Sequence, residues 1–465
     1  MLEADYLASL FAEPSPGRRV PLDPYGQLRY LVIDDQDAAR QTLKMCIQSM
    51  GGFSVDQASS SNEAANRIGR NMPDVILCDY MLGNGQTGQQ LLEDLRRSHR
   101  LPDTVAFLMV TAERSYEQVV SAVELTPDDY IIKPFSPDIL RGRMDRVIRK
   151  KIFFNKFLEH RQRGQLDAAL AELTSLEGAE EGRQYRFDIM RARAETLLMA
   201  ERYHEALDCF APILAIHPFP WAQAGQARAL RHLNRHEEAA AAVDCVIEAS
   251  PNYFEAYDLK ADICCDRGEF DQAQAILQRA AERTPRNWGR KRNLSVVAKQ
   301  NGDFVTAKRL MEEVIANNAA GGFPVRDRIE LVRTALASGD RDQALVLIGE
   351  LAAPEREALA ADVRLDIECL EAQLEGAEAG EKRFERIRTE LGRVELPVDA
   401  ALDAVAAALL FSDRELADRL AEKLLTGHDA QRAFHALLDI YRSRELEEHF
   451  RQLQRNIASR RLAGP

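Results

Sequence analysis

The sequence predicts a doubly wound α/β domain, with a five-stranded parallel sheet, followed by an all-α array of helical repeats. Two observations carry this. Over residues 28–150 short apolar runs alternate with amphipathic helical stretches. From about residue 155 onward those runs stop, and Ala- and Leu-rich sequence continues with a 34-residue period at its centre.

The elements follow in order. Residues 1–27 read as a tail, with a short docking helix as the alternative for ADYLASLFA. Glu3 and Asp5 stand where a secretory signal would carry positive charge, which points to a cytoplasmic protein. Strands are expected at 29–33, 53–58, 74–78, 105–110 and 129–132, with helices at 38–50, 61–70, 87–98 and 115–125 between them. Unbroken apolar strands suit a sheet covered on both faces.

Ser136 and Pro137 open a further helix as cap and first residue. Leu140, Met144, Val147, Phe154 and Leu158 keep one apolar stripe along it, so a single helix over about 137–160 enters the repeats. It serves as a mechanical link, as part of a dimer seam, or merely as packing between domains. Its stretch RGRMDRVIRKK (141–151) holds six basic residues and one acid. A solvated face is the first reading, and contact with nucleic acid or a membrane the alternative.

In the helical region Pro251 recurs as Pro285, Gly268 as Gly302, Phe270 as Phe304 and Ala273 as Ala307. Asn234, His236 and Ala239 share that phase, and Tyr203, Ala206 and Pro218 precede it by 33 residues. The pattern resembles the tetratricopeptide (TPR) repeat, a helix-turn-helix unit. GQLDAA (164–169) and GDRDQA (339–344) look like copies at a looser 37-residue spacing. The repeats are therefore assigned to 155–350, and 351–465 to degenerate TPR-like helices.

Composition narrows the function. The 465 residues carry a net charge of −13, which repels nucleic acid on average. No apolar run is long enough to span a membrane. Seven cysteines lie scattered without a C-x-x-C pair, which argues against a disulfide framework or zinc and for small buried apolar residues. His204, His217, His232 and His236 lie near repeat turns, where exposure is the ordinary reading. No Gly-rich nucleotide loop or Ser-His-Asp set is present, and the chain is not expected to be an enzyme beyond reactions on itself.

Chemistry gathers at one sheet edge. An open parallel sheet binds ligands at the carboxyl ends of its strands. Asp34 and Asp35 end the first strand, Asp79 the third, Thr111 the fourth and Lys133 the fifth. Three carboxylates together need a counter-charge, which Mg2+ supplies. Lys133 suits a phosphoryl oxygen, and Thr111 offers a hydroxyl. The chemistry that fits is phosphoryl transfer onto a carboxylate, with Asp79 the acceptor. Taken singly, Asp35 would read as a helix cap and Tyr130 as a core aromatic.

Together, DD at 34–35, Asp79, TA at 111–112 and DDYIIKPF at 128–135 resemble a two-component response-regulator receiver domain over residues 28–150. The resemblance implies a flavodoxin-like fold, phosphorylation of Asp79, and Mg2+ held by Asp34, Asp35, Asp79 and the Met81 backbone carbonyl. It implies Thr111 and Tyr130 as a switch pair, a cis bond before Pro134, and Met81 and Glu113 as influences on phosphate lifetime. It further implies a sensor histidine kinase or phosphotransfer protein as partner, with homodimerisation through the fourth helix, fifth strand and fifth helix. The repeats would hold a downstream protein or peptide. Rival readings are a transcription regulator touching DNA through 141–151 and a scaffold that is never phosphorylated. One departure stands out: after Asp79 the run is DYMLGNGQTG, with Gly83 where the family often has proline and Gly88 nine residues past the acceptor rather than eight.

Overall fold

The computed structural model describes residues 24–83, 87–97, 100–111, 127–285, 287–317, 324–351, 359–375, 377–427 and 430–463. The expected helix at 115–125, Glu113 and residues 1–23 of the extension lie outside them. The chain divides into two units, residues 1–259 with 320–322 and residues 260–319 with 323–465.

The first unit opens with the sheet. Strands β1 (Arg29–Ile33), β2 (Ser54–Ala58), β3 (Val75–Asp79), β4 (Ala106–Thr111) and β5 (Asp129–Ile132) are all parallel, in the order β2-β1-β3-β4-β5. Helices α1 (Asp37–Ser49), α2 (Ser61–Arg70) and α3 (Gly88–Arg97) alternate with them, and α4 (Pro137–Gln162) follows β5. One face of the sheet packs Val32, Leu77, Leu108 and Val110 against Leu43 and Ile47 of α1 and Leu140, Met144 and Val147 of α4. The other packs Ile33, Ile76, Phe107 and Met109 against Ala64 and Ile68 of α2 and Leu91, Leu92 and Leu95 of α3. The outer strand β2 departs from the fully buried expectation. It lies at the sheet edge, where Ser54 and Asp56 are exposed, and Phe53 beside it is 77% exposed.

Helix α4 runs unbroken over 26 residues, with the Ser136 hydroxyl accepting from the Ile139 N–H and Pro137 in its first turn. Its first half closes the sheet core. In its second half Phe154, Phe157 and Leu158 pack on Ala169, Leu173 and Ile189 of the next two helices, α5 (Leu166–Gly178) and α6 (Arg186–Met199). Each such buried side chain contributes roughly 1.5–3 kcal/mol. One helix is thus the last element of the α/β domain and the first helix of the first helical hairpin.

The basic stretch of α4 is only partly solvated: Arg141 and Lys150 are exposed, but most of its charges have acid partners. Arg143 and Arg146 pair with buried Asp129 (3.2 and 2.6 Å), Lys150 with Asp188 (2.5 Å) and Lys151 with Asp128 (2.8 Å). Farther along, Arg161 meets Asp103 at 2.6 Å, and Arg96 of α3 reaches the same carboxylate. Burial would raise the Asp103 carboxyl, but these guanidinium groups outweigh it and hold it below the usual range.

In the rest of the first unit, α7 (Tyr203–Ile216), α8 (Pro220–His232) and α9 (His236–Ala249) continue the pairs, and α10 (Phe254–Asp266) spans the division at residues 259 and 260. The second unit carries α11 (Phe270–Arg283), α12 (Trp288–Gln300), α13 (Phe304–Asn317), α14 (Pro324–Ala337), α15 (Arg341–Gly349), α16 (Ala361–Leu374), α17 (Ala377–Leu391), α18 (Val398–Leu410), α19 (Arg414–Thr426), α20 (Ala430–Arg442) and α21 (Glu447–Ala463). A TPR-like rule unites both units. Residues 164, 201, 234, 268, 302, 339, 412 and 445 all have φ between 59° and 79°. At each turn the next N–H bonds back to a carbonyl five residues earlier, as Gln165 to His160, Asp303 to Ala298 and Asp413 to Ala408. This is the Schellman closure. Five residues beyond each left-handed position sits a fully buried residue: Ala169, Ala206, Ala239, Ala273, Ala307, Ala344, Ala417 and Phe450. A small residue there lets the paired helices touch. Gly380 plays that part between α16 and α17, since a Cβ on it would stand 2.3 Å from the Ala372 oxygen.

The turn geometry therefore extends to 412 and 445, inside the stretch expected to hold only degenerate repeats. All seven cysteines are free, and Cys78, Cys264 and Cys369 are buried, but Cys245 is exposed. If Ala417 is a repeat contact, Ala417→Leu overpacks the hairpin and costs about 1–3 kcal/mol. A fall in thermal midpoint comparable to that of Ala273→Leu is expected, and an unchanged midpoint would separate residue 417 from the repeat rule.

Candidate functional site

Register brings distant residues together. Ile33 aligns with Cys78, so Asp34 and Asp79 follow at adjacent strand ends. Asp79 aligns with Val110, and Thr111 with Ile132, beside Lys133. The Lys133 N–H continues the ladder onto the Thr111 carbonyl at 2.7 Å, and the Lys133–Pro134 peptide is cis.

Lys133 Nζ donates to Asp34 Oδ2 (2.9 Å) and to Asp79 Oδ1 (2.7 Å). The remaining oxygens of both acids accept backbone N–H groups, Gln36 on Asp34 Oδ1 (2.8 Å) and Met81 on Asp79 Oδ2 (3.1 Å). Asp34 is 1% exposed. Asp35 is exposed, and it does not cap α1, whose cap position is Gln36 without a side-chain bond. Asp34, Asp35 and Asp79 each offer a carboxylate oxygen, and these lie within 4.8 Å of one another.

The electrostatics follow from burial. Asp79 is pushed above the usual carboxylate range, first by burial and then by Asp34, although Lys133 and the Met81 N–H oppose this. Burial works against the Lys133 charge as well, but its bonds to Asp79 and Asp34 prevail and raise it. Three acids against one ammonium leave the edge short of positive charge. Oxygen donors in this number suit a hard divalent cation that keeps part of its water.

Thr111 is buried at the end of β4. Tyr130 is also buried, aligned with Met109 and therefore on the same sheet face as Thr111, two residues along. Met81 is 48% exposed. Glu113 lies outside the described residues. Gly88 opens α3 with its N–H on the Tyr80 oxygen (2.8 Å), and a Cβ there would stand 2.3 Å from the Asp79 oxygen. What sequence reasoning missed is how fully the basic residues of α4 are paired. No local pattern marks Asp103 or Asp188 as their partners.

Comparison with known proteins agrees. Residues 30–145 match the response regulator receiver domain, and this segment is such a domain. The chain is 34% identical over 122 residues to the phosphate regulon transcriptional regulatory protein PhoB of Escherichia coli (strain K12), covering 26% of this chain and 52% of PhoB. It is 32% identical over 133 residues to the probable transcriptional regulator ycf27 of Guillardia theta, covering 29% of this chain and 50% of that protein. The chain thus spans about half the length of the curated relatives it matches. Among solved structures, a tetratricopeptide repeat protein from Parabacteroides merdae is similar with a TM-score of 0.41 and 13% identity, over 61% of this chain and 98% of its own.

The raised carboxyl of Asp79 gives a signed prediction. The unfolded chain loses this proton at lower pH than the folded one. Ionisation therefore costs stability as pH rises from the ordinary carboxylate value through the folded one, and the cost persists at neutral pH. Asp79→Asn cannot ionise. It is expected to raise the thermal midpoint of the metal-free protein at pH 7, with the gain shrinking as the buffer is taken toward pH ~3.9, the reference aspartate value. A lower midpoint for Asp79→Asn at pH 7 would contradict this.

Proposed function

We propose that this chain is a phosphorylation-controlled binding protein of a phosphorelay. Asp79 accepts a phosphoryl group from a sensor histidine kinase or phosphotransfer protein, and the helical array carries the response to a downstream protein or peptide. The observation that carries this reading is the Asp34–Lys133–Asp79 bridge with Asp35 at one strand edge. It gathers acceptor, counter-charge and cation ligands from three stretches of chain.

Asp34, Asp35 and Asp79 would hold Mg2+, with the Met81 carbonyl as the further protein ligand expected from the receiver resemblance. Its charge would neutralise the acids and the oxygens of the incoming group. The protein's own groups do the rest. A carboxylate oxygen of Asp79 attacks phosphorus. The new O–P bond forms as the donor's N–P bond breaks, and the imidazole leaves and takes a proton from water. Lys133 Nζ, already on Asp79 Oδ1, steadies the phosphoryl oxygens, and the Thr111 hydroxyl donates to another.

Thr111 drawn toward the new oxygens, with Tyr130 on the same face, would bias β5 and α4. Asp128 and Asp129 tie the start of β5 to Lys151, Arg143 and Arg146, so a shift of the strand would be felt along the helix that founds the array. A coupling of about 1–3 kcal/mol is enough to move an existing equilibrium. The DNA reading of 141–151 loses support, because four of its basic residues already have carboxylate partners. No described helix is long and apolar enough to cross a membrane.

Incubation with acetyl phosphate and Mg2+ should add the mass of one phosphoryl group to the native chain and none to Asp79→Asn. Capture with the native chain should then differ in bound protein with and without beryllofluoride. Equal capture in both states, despite phosphorylation, would reduce the array to a constitutive adaptor. Absence of the mass change would remove the phosphoacceptor reading.

A further inference from the structure

Asp34 and Asp79 are each fixed by Lys133 and by a backbone N–H. Asp35 is not. Among the described residues no hydrogen bond or ion pair reaches its carboxylate. Its close neighbour is Gly83, in the loop that follows the acceptor. A Cβ built on Gly83 would stand 3.0 Å from Asp35 Oδ2, 3.5 Å from Asp35 Cβ and 3.7 Å from Asp35 Cγ. Gly83 also has φ +67°. Proline, with φ fixed near −65°, does not fit that backbone.

We infer that Gly83 is a positioning residue for the cation site: its bare Cα lets the backbone at residue 83 come close to Asp35 and limits where that carboxylate can turn. The inference rests on the reading that Asp34, Asp35 and Asp79 hold Mg2+. Asp35 is the most exposed of the three and has the most freedom to swing into solvent. The Gly83 backbone takes the place of the bonds that Asp34 and Asp79 have. A methyl group at 83 forces the carboxylate or the backbone at residue 83 to give by a few tenths of an ångström. Mg2+ demands near-ideal octahedral geometry with oxygens at about 2.0–2.1 Å, so a shift of that size matters. Ca2+ accepts longer and more variable oxygen distances and is hurt less.

The test is calorimetric titration of the full chain with Mg2+ and, separately, Ca2+. Gly83→Ala is compared with the native protein and with Gly339→Ala. Gly339 has φ +79° and nothing within 4 Å of a built Cβ, so it reports the cost of alanine in that backbone without a neighbour. Gly83→Ala is expected to weaken Mg2+ binding roughly ten- to a hundredfold, the range seen when groups that orient metal ligands are altered. Ca2+ binding falls less, and Gly339→Ala matches the native chain. Should Gly83→Ala not fold, Gly83→Asn brings the same Cβ on a residue that tolerates positive φ. Native Mg2+ affinity in the folded variant, or equal losses for both cations, overturns the inference while leaving the cation site standing. Failure of the native chain itself to bind Mg2+ removes the site and the inference together.

Discussion

The Lys133 ammonium between Asp34 and Asp79 is the interaction on which the α/β domain turns. Buried like charges repel, and a carboxylate that is 1% exposed has lost most of its hydration. One cation bridging two acids from adjacent strands offsets part of that cost. It does so only if β1, β3 and β5 end level, and the parallel register makes them do so. The charge left over makes the edge receptive to a further cation. The same deficit strains the folded domain.

Charge also organises the rest of the molecule. In the first unit the acids at the feet of β4 and β5, Asp103, Asp128 and Asp129, collect lysines and arginines from α4. In the second unit a seam of ion pairs joins the first helices of successive hairpins. Arg292 meets Asp327, Lys299 meets Glu330, and Arg333 reaches Glu330, Asp366 and Asp403. Burial pushes the Asp366 carboxyl up to about 8, and Asp403 adds to this against the pull of Arg333. Such buried networks are weak sources of stability. Mismatched partners would be costly, so their best-attested use is to fix register.

The parts of this structure legible in the sequence are those with strong local causes. All five strands lie within a residue of where the sequence pattern put them, and the cis Lys133–Pro134 bond is the one the receiver resemblance implied. The stripe from Leu140 to Leu158 foretold an unbroken helix, because five apolar residues at helical spacing leave little alternative. The repeat rule was legible where glycine marks the turn, at 268 and 302, and dim where Ser412 and Glu445 take the same backbone conformation. There the marks that remain are the buried Ala417 and Phe450 five residues on, and burial is not a local property of the sequence. The edge strand β2 was misjudged for a related reason: burial depends on which strand lies outermost, and order in the sheet is not a local property. The ion pairs of α4 were invisible because their partners come from separate parts of the chain, at 103, 128–129 and 188. The closeness of Gly83 to Asp35 was hidden in the same way, although the glycine itself was conspicuous.

Helix α4 belongs to two cores at once, and this constrains how such a chain can change. A helix advances about 100° per residue, from 3.6 residues per turn. Insertion of one residue between Ile148 and Phe154 would swing the first hairpin a quarter-turn or more around the helix axis and tear Arg161 from Asp103. Joining this α/β domain to another set of hairpins would therefore demand whole turns of helix. The angular setting of the α/β domain and the first hairpin is written as a length of chain, and selection can retune it only in steps that preserve phase.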